Sequence, residues 1–164
     1  MRKIGILVLI FLLLISTQTL ANSKEYLEKA NLMEVEIYFI RLDEKATEIE
    51  FVPVMCLTKK SDDIEKIIKS AIITLLHGLE NERKELKLET FIPEGTRLRK
   101  LKLDKDKGIV FIDFSEELQS YGGGSMNVIC IRGQIEKTLM QFQIVKQIII
   151  TVEGKDEKDG VLQP

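Results

Sequence analysis

From Ile64 to Leu79 the apolar residues recur at helical spacing: Ile64, Ile67, Ile68, Ala71, Ile72, Leu75, Leu76 and Leu79. A stripe that wide has to be pressed against a sheet, so the rest of the chain must supply one. Ser61 stands where a cap belongs, and Asp62 and Asp63 suit the positive end of the helix. Gly78 is placed to end it. Asp62, Lys66, Lys69, Ser70 and His77 fall on the opposite face, where water is expected. Ile73 falls there too. It reads as a contact with another protein, or as a single exposed apolar side chain or one covered by the N-terminal linker.

The flanking segments read as strands. Val35, Ile37 and Phe39 alternate with Glu36, Tyr38 and Ile40, and Ile49 and Phe51 alternate with Glu48 and Glu50 in a run that reaches Val54. Arg41 to Ala46 is the polar turn of a hairpin. Pro53 has no N–H to donate and belongs at a strand end or a sheet edge. Beyond the helix, Asn81 to Lys87 reads as a charged connection and Pro93-Glu94-Gly95 as a turn. Leu101 and Leu103 alternate with Lys100, Lys102 and Asp104, and Asp104 to Gly108 is a hairpin loop. Ile109 to Phe114 is almost wholly apolar, as a central strand is. Ser115 to Leu118 is a capped helical turn, and Ser125 is placed to cap a second helix bearing Val128, Ile131, Ile135, Leu139 and Phe142 on one face. Val145 to Val152 is the last strand, closed by Gly154. Residues 155–164 read as a flexible tail. The order ββαββαβ predicts an α+β fold, a mixed sheet with two helices packed on one face.

The start of the chain sets the compartment. Arg2 and Lys3 precede an apolar run from Ile4 to Ile15, then a small and polar stretch ending Thr19-Leu20-Ala21. The run is short for a spanning helix, which needs roughly 20 residues, and fits a secretory signal over 1–21. The other reading is an uncleaved anchor from Ile4 to Ala21. Either way the remainder, a linker at 22–34 and a domain at 35–154, lies outside the cytoplasm. No cysteine sits near the end of the leader, so the chain is not read as a lipoprotein. Without its leader the chain holds 22 bases and 26 acids, a net charge of −4. That balance argues against a nucleic-acid partner.

The chemical candidates are few. One histidine excludes a site built on several imidazoles, and two cysteines exclude a multi-cysteine zinc module. His77 and Cys130 are the one thiol–imidazole pairing available, but a catalytic pair needs contact and a third group to orient the base. Cys130 falls off the apolar stripe of its helix. Cys56 and Cys130 form a candidate disulfide in an oxidising compartment, or are simply buried. Asp113, Glu116 and Glu117 cluster where a strand meets a turn, which suits acid–base work or the capping of turns. Gly122 to Gly124 precede a helix, where an anion can dock, yet the phosphate-loop signature is absent and a flexible connection explains them. No catalytic residue, cofactor site or metal site is assigned from the sequence.

From Ile64 to Gly154 the chain resembles the GerMN domain, the sporulation and spore-germination domain. The resemblance rests on an ordered set: Leu75-Leu76-His77-Gly78 at the end of the first helix, Thr90 followed by Ile92-Pro93-Glu94-Gly95-Thr96, then Asp113-Phe114-Ser115. Gln134-Ile135 with Thr138-Leu139 follow in the second helix, and a valine-bearing strand ends at Gly154. The upstream hairpin, Val35 to Val54, also fits. The sequence departs from the family pattern at Leu79 and Gln143, where proline is usual, and in lacking the lipid-bearing cysteine of many members. The family residues have structural roles on this reading: Pro93 and Gly95 build a turn, Asp113 and Ser115 cap backbone amides, Gln134 and Thr138 bond helix to sheet. The resemblance implies a fold similar to the ring-building motif of sporulation secretion assemblies. It also implies a non-enzymatic protein of the cell envelope that contacts envelope or sporulation proteins, or associates with itself. Its only membrane contact would be an unprocessed leader. The alternative is a module binding cell-wall glycan or a small solute, for which a chain with no tryptophan is poorly supplied with stacking platforms.

Overall fold

The structure, a computed structural model, describes residues 25–43 and 48–163. The leader and the tip of the first hairpin lie outside them. The chain divides into two units, Met1–Met33 and Glu34–Pro164. The described part of the first holds a helical turn at 25–29 with a Glu25–Lys29 ion pair of 2.8 Å.

The second unit is α+β. Its strands are β1 (Leu32–Leu42, which begins just before the unit boundary), β2 (Ile49–Lys59), β3 (Leu98–Asp104), β4 (Ile109–Phe114) and β5 (Gln147–Val152). Its helices are α1 (Ile64–His77), a short α2 (Glu80–Glu85) where a plain connection was expected, and α3 (Ser125–Met140). The strands form two hydrogen-bonded sheets, β1–β2 and β3–β4–β5, and not one. The β1–β2 pair must be antiparallel, because so short a connection cannot return the chain for a parallel pairing. In the other sheet β3 runs antiparallel to β4, and β4 runs parallel to β5. The parallel pair needs a crossover, which α3 supplies. The wholly apolar β4 is the central strand, as its composition predicts.

Ile67, Ile68, Ala71, Ile72 and Leu75 of α1 are buried, and α1 packs against β2, β3 and α3. Val110, Ile112 and Phe114 of β4, with Ile150 and Val152 of β5 and Val128, Ile131, Ile135 and Leu139 of α3, complete the core. Cys130 is buried as well, which corrects its placement off the stripe.

Local chemistry moved several boundaries. Asp63, not Ser61, is the N-cap of α1: its carboxylate accepts from Glu65 N–H, and Ser61 Oγ accepts from Asp63 N–H. Gly124 precedes α3, so Ser125 is its first residue and not its cap. Gly78 does end α1, but in extended conformation, and the left-handed residue is Leu79 at φ 58°. Glycine is needed at 78 because a Cβ there would lie 2.9 Å from Thr74 O and Cγ2. A proline at position 79 could not adopt φ 58°.

The C-terminal segment is docked, not frayed. Asp156 and Asp159 cap each other around a 3-10 turn at Glu157–Asp159. Val161 and Leu162 are each 1% exposed, Arg132 pairs with Glu157 at 3.1 Å, and Tyr121 Oη donates to Gln163 O at 2.9 Å. Two apolar side chains near the end provide enough burial to hold a segment whose charges read as solvated.

Candidate functional site

The polar residues of the family pattern converge on one seam. Along β1 the backbone groups of alternate residues point away from β2, and α3 closes that edge with side chains. Gln141 makes a two-way bond with Glu36, its Oε1 accepting from Glu36 N–H at 2.8 Å and its Nε2 donating to Glu36 O at 2.7 Å. Tyr38 N–H donates to Thr138 Oγ1 at 3.1 Å, and Tyr38 O accepts from Gln134 Nε2 at 3.2 Å. Two residues on, Ile40 exchanges both backbone bonds with Glu89, at 3.0 and 2.7 Å. A helix thus stands in for the neighbouring strand, which is why β1 does not join the three-stranded sheet. Gln134 also accepts from Phe91 N–H at 2.8 Å and donates to Thr90 Oγ1 at 3.3 Å, so one fully buried amide ties three segments together.

The outer side of the seam is a small cluster. Lys137 Nζ sits 5.2 Å from the Phe51 ring centroid and 5.9 Å from that of Tyr38. Tyr38 Oη donates to Glu36 Oε2 at 2.8 Å. That bond, then burial and the Glu36 charge, push the Tyr38 phenol above its ordinary range. Gly133 is where α3 meets Phe51, and a Cβ there would collide with the ring.

The turn after the seam behaves as its residues predict. Gly95 takes φ 82°, and Pro93 O accepts from Thr96 Oγ1 at 2.6 Å and from Thr96 N–H at 3.2 Å. Ser115 Oγ accepts from Arg97 N–H at 2.9 Å while Ser115 N–H donates to Arg97 O at 3.0 Å. Ser115 therefore caps Arg97, and its side chain does not cap the backbone of the turn at Glu116–Gln119. Glu117 pairs with Arg97 at 2.8 Å. The Ser115 hydroxyl, its own backbone N–H and the Arg97 guanidinium hold the Glu117 carboxyl below the usual carboxylate range. Its Oε2 is buried without a well-formed hydrogen bond.

Asp113 lies on the open face of the three-stranded sheet. Its Oδ1 accepts from Thr151 Oγ1 at 2.7 Å and Gly154 N–H at 2.8 Å, and Arg99 sits on Oδ2 at 2.9 Å. Arg99 also holds Glu153 at 2.8 Å. The structure thus joins Asp113 to Gly154, and gives Asp113 and Glu117 different arginine partners.

A cleft of about 680 Å³ opens at the C-terminal end of α1, lined by His77, Glu80, Arg83, Phe91, Glu94 and Tyr121 among others. His77 is exposed there. Glu80 is engaged by Lys84 at 2.6 Å, which holds its carboxyl below the usual range. Asp113 lines a different groove, so Asp113 and the His77 imidazole are not gathered at one place.

Cys56 and Cys130 are free thiols in this structure, which corrects the candidate disulfide. Cys130 is buried in α3. Cys56 is half-buried in β2, where burial and then the Glu82 charge raise its pKa. Burial alone raises that of Cys130. Gly122, Gly123 and Gly124 all take positive φ, and Asn127 Nδ2 ties the loop down by donating to Tyr121 O and Gly123 O. Ile73 is 44% exposed. Among the described residues no acid, histidine and cysteine cluster could hold a metal ion, and no helix is long and apolar enough to cross a membrane.

Sequence reasoning missed Gln141, Arg99 and Thr151. Gln141 had a signal, since it lies seven residues after Gln134 and three after Thr138, on the same helix face. Arg99 and Thr151 had none, because their meeting on Asp113 depends on sheet register.

The family model described as "Germane: Sporulation and spore germination" matches residues 36–158. The chain belongs to this family. Among solved structures it is similar to the first GerMN domain of the sporulation protein GerM from Bacillus subtilis. That likeness has TM-score 0.56 and 21% identity, and covers 76% of this chain and 85% of that one. It is similar also to the tandem GerMN domains of the same protein, with TM-score 0.57 and 21% identity over 76% of this chain and 40% of that one. At such identity the likeness fixes the GerMN fold. No curated protein matches the sequence.

Proposed function

We propose that this chain is an exported, non-enzymatic GerMN-domain protein that acts by protein–protein contact in the cell envelope, in a process linked to sporulation or germination. The observation that carries the reading is where the family's polar side chains go. Gln134, Thr138, Ser115, Thr96 and Asp113 all bond to backbone groups, so what the family pattern specifies is a scaffold. The basic and apolar start of the chain supports export. Ile73, apolar and exposed beside Lys66 and Lys69 on α1, is the contact this reading favours. Crosslinking in intact cells from a photoreactive residue at position 73 is expected to capture an envelope protein. Failure to capture any protein from position 73 would count against the reading.

The cleft beside His77 and Tyr121 favours a second reading, a module that binds cell-wall glycan or a small solute. It predicts that purified peptidoglycan retains the chain and that Tyr121→Ala releases it. Retention unchanged by that substitution, or none at all, removes this alternative.

A further inference from the structure

Among the described residues the four sheet edges are protected to different degrees. The outer edge of β1 is taken by Gln134, Thr138, Gln141 and Glu89. On β2, Asp43 N–H donates to Glu48 O, so even-numbered residues face β1 and Pro53 falls on the outer side, where it offers no donor. On β3, Leu103 N–H is capped by Glu65 Oε2 at 2.7 Å, and the pairing is irregular between Leu98 and Lys100. The edge of β5 is capped at one end only. Glu153 N–H donates to Phe114 O and Gln147 N–H to Gly108 O, so odd-numbered residues face β4. Ile148, Ile150 and Val152 therefore point their backbone groups outward. Val152 is closed off by Lys155, whereas among the described residues nothing bonds the outward groups of Ile148 and Ile150. The strand Gln147–Val152 carries no charge, no proline and no glycine. An apolar edge of this kind is a template for another strand.

We propose that two copies of this chain pair antiparallel through their β5 edges, joining two three-stranded sheets into one. The strand is suited to its own copy by charge. Lys146 precedes it and Glu153 follows it, so antiparallel pairing brings the basic end of each copy to the acidic end of the other, whereas parallel pairing sets like ends together. Twofold pairing of one patch with itself is also the commonest way for chains to close an assembly. The open faces become continuous, with Ile149, the neighbour of Phe111 across the β4–β5 ladder, lying beside its counterpart. The inference gives the contact role proposed above a surface. It stands or fails separately, since position 73 lies on α1.

The test is sedimentation of the full chain over a concentration series, with amide hydrogen exchange read at Ile148 and Ile150. The mass is expected to double with concentration, and both amides to become at least tenfold slower to exchange as it does. Ile148→Pro deletes an N–H that β4 does not use and is expected to leave a folded monomer. Ile149→Lys, on the open face, sets like charges close across the twofold and is expected to weaken pairing at least tenfold, which covers the case where the proline variant does not fold. A chain that stays monomeric with both amides exchanging freely overturns the proposal. So does a dimer that survives Ile149→Lys and every folded proline variant, and so does protection of these amides only when a different protein is bound.

Discussion

Glu117 and the two cysteines give the sharpest readings at the level of single side chains. Because the folded Glu117 carboxyl titrates below its unfolded value, its stabilising contribution is complete above the unfolded pKa and is lost as pH falls through the folded one. Stability measured by urea unfolding is therefore expected to fall on going below about pH 4.5, and Glu117→Gln to flatten part of that fall. An equal acid-side slope in the variant would remove the assignment. The thiols make a second test. Alkylation without reductant, followed by mass measurement, is expected to label both Cys56 and Cys130 in the unfolded chain and to label Cys56 first in the native one, since Cys130 is wholly enclosed. A chain that gains label only after reduction would restore the disulfide. The sequence left this open for a physical reason: spacing along the chain does not say whether two cysteines on different elements face each other, and here one is packed into α3 while the other answers to Glu82 across from β2.

Secondary-structure elements were readable where a period or a turn residue dominated. The stripe of α1, the wholly apolar β4 and the turn at Pro93–Gly95 follow directly from residue type. The division into two sheets was not legible, because a strand pattern records which face is buried and not what sits on its edge. The edge of β1 is decided by Gln134, Thr138 and Gln141, which in sequence are polar residues on a helix. Contact between α3 and β2 was likewise hidden in the absence of a side chain at Gly133. Alanine there gains about 1 kcal/mol in helix propensity but drives a methyl into the Phe51 ring, a clash of the kind that costs about 1–3 kcal/mol. Gly133→Ala is therefore expected to be neutral to destabilising, and the same change made in Phe51→Ala to be stabilising. A double-mutant cycle measures the coupling; additive effects would show that the ring and the helix do not meet.

For the molecule as a whole, the family pattern describes how a hairpin, a helix crossover and a loop are fastened into one body. The centre of that account is Gln134, which is buried and serves β1, α3 and the segment at Thr90–Phe91 at once. Its most direct test is the urea unfolding of Gln134→Ala. Removing the amide strands Phe91 N–H and Tyr38 C=O, each costing about 1–3 kcal/mol when left unpaired in the interior. The account predicts a loss of about 3 kcal/mol in global stability from those two groups, with Thr138→Val losing less. A Gln134→Ala chain that unfolds at the same urea concentration as the parent would contradict it.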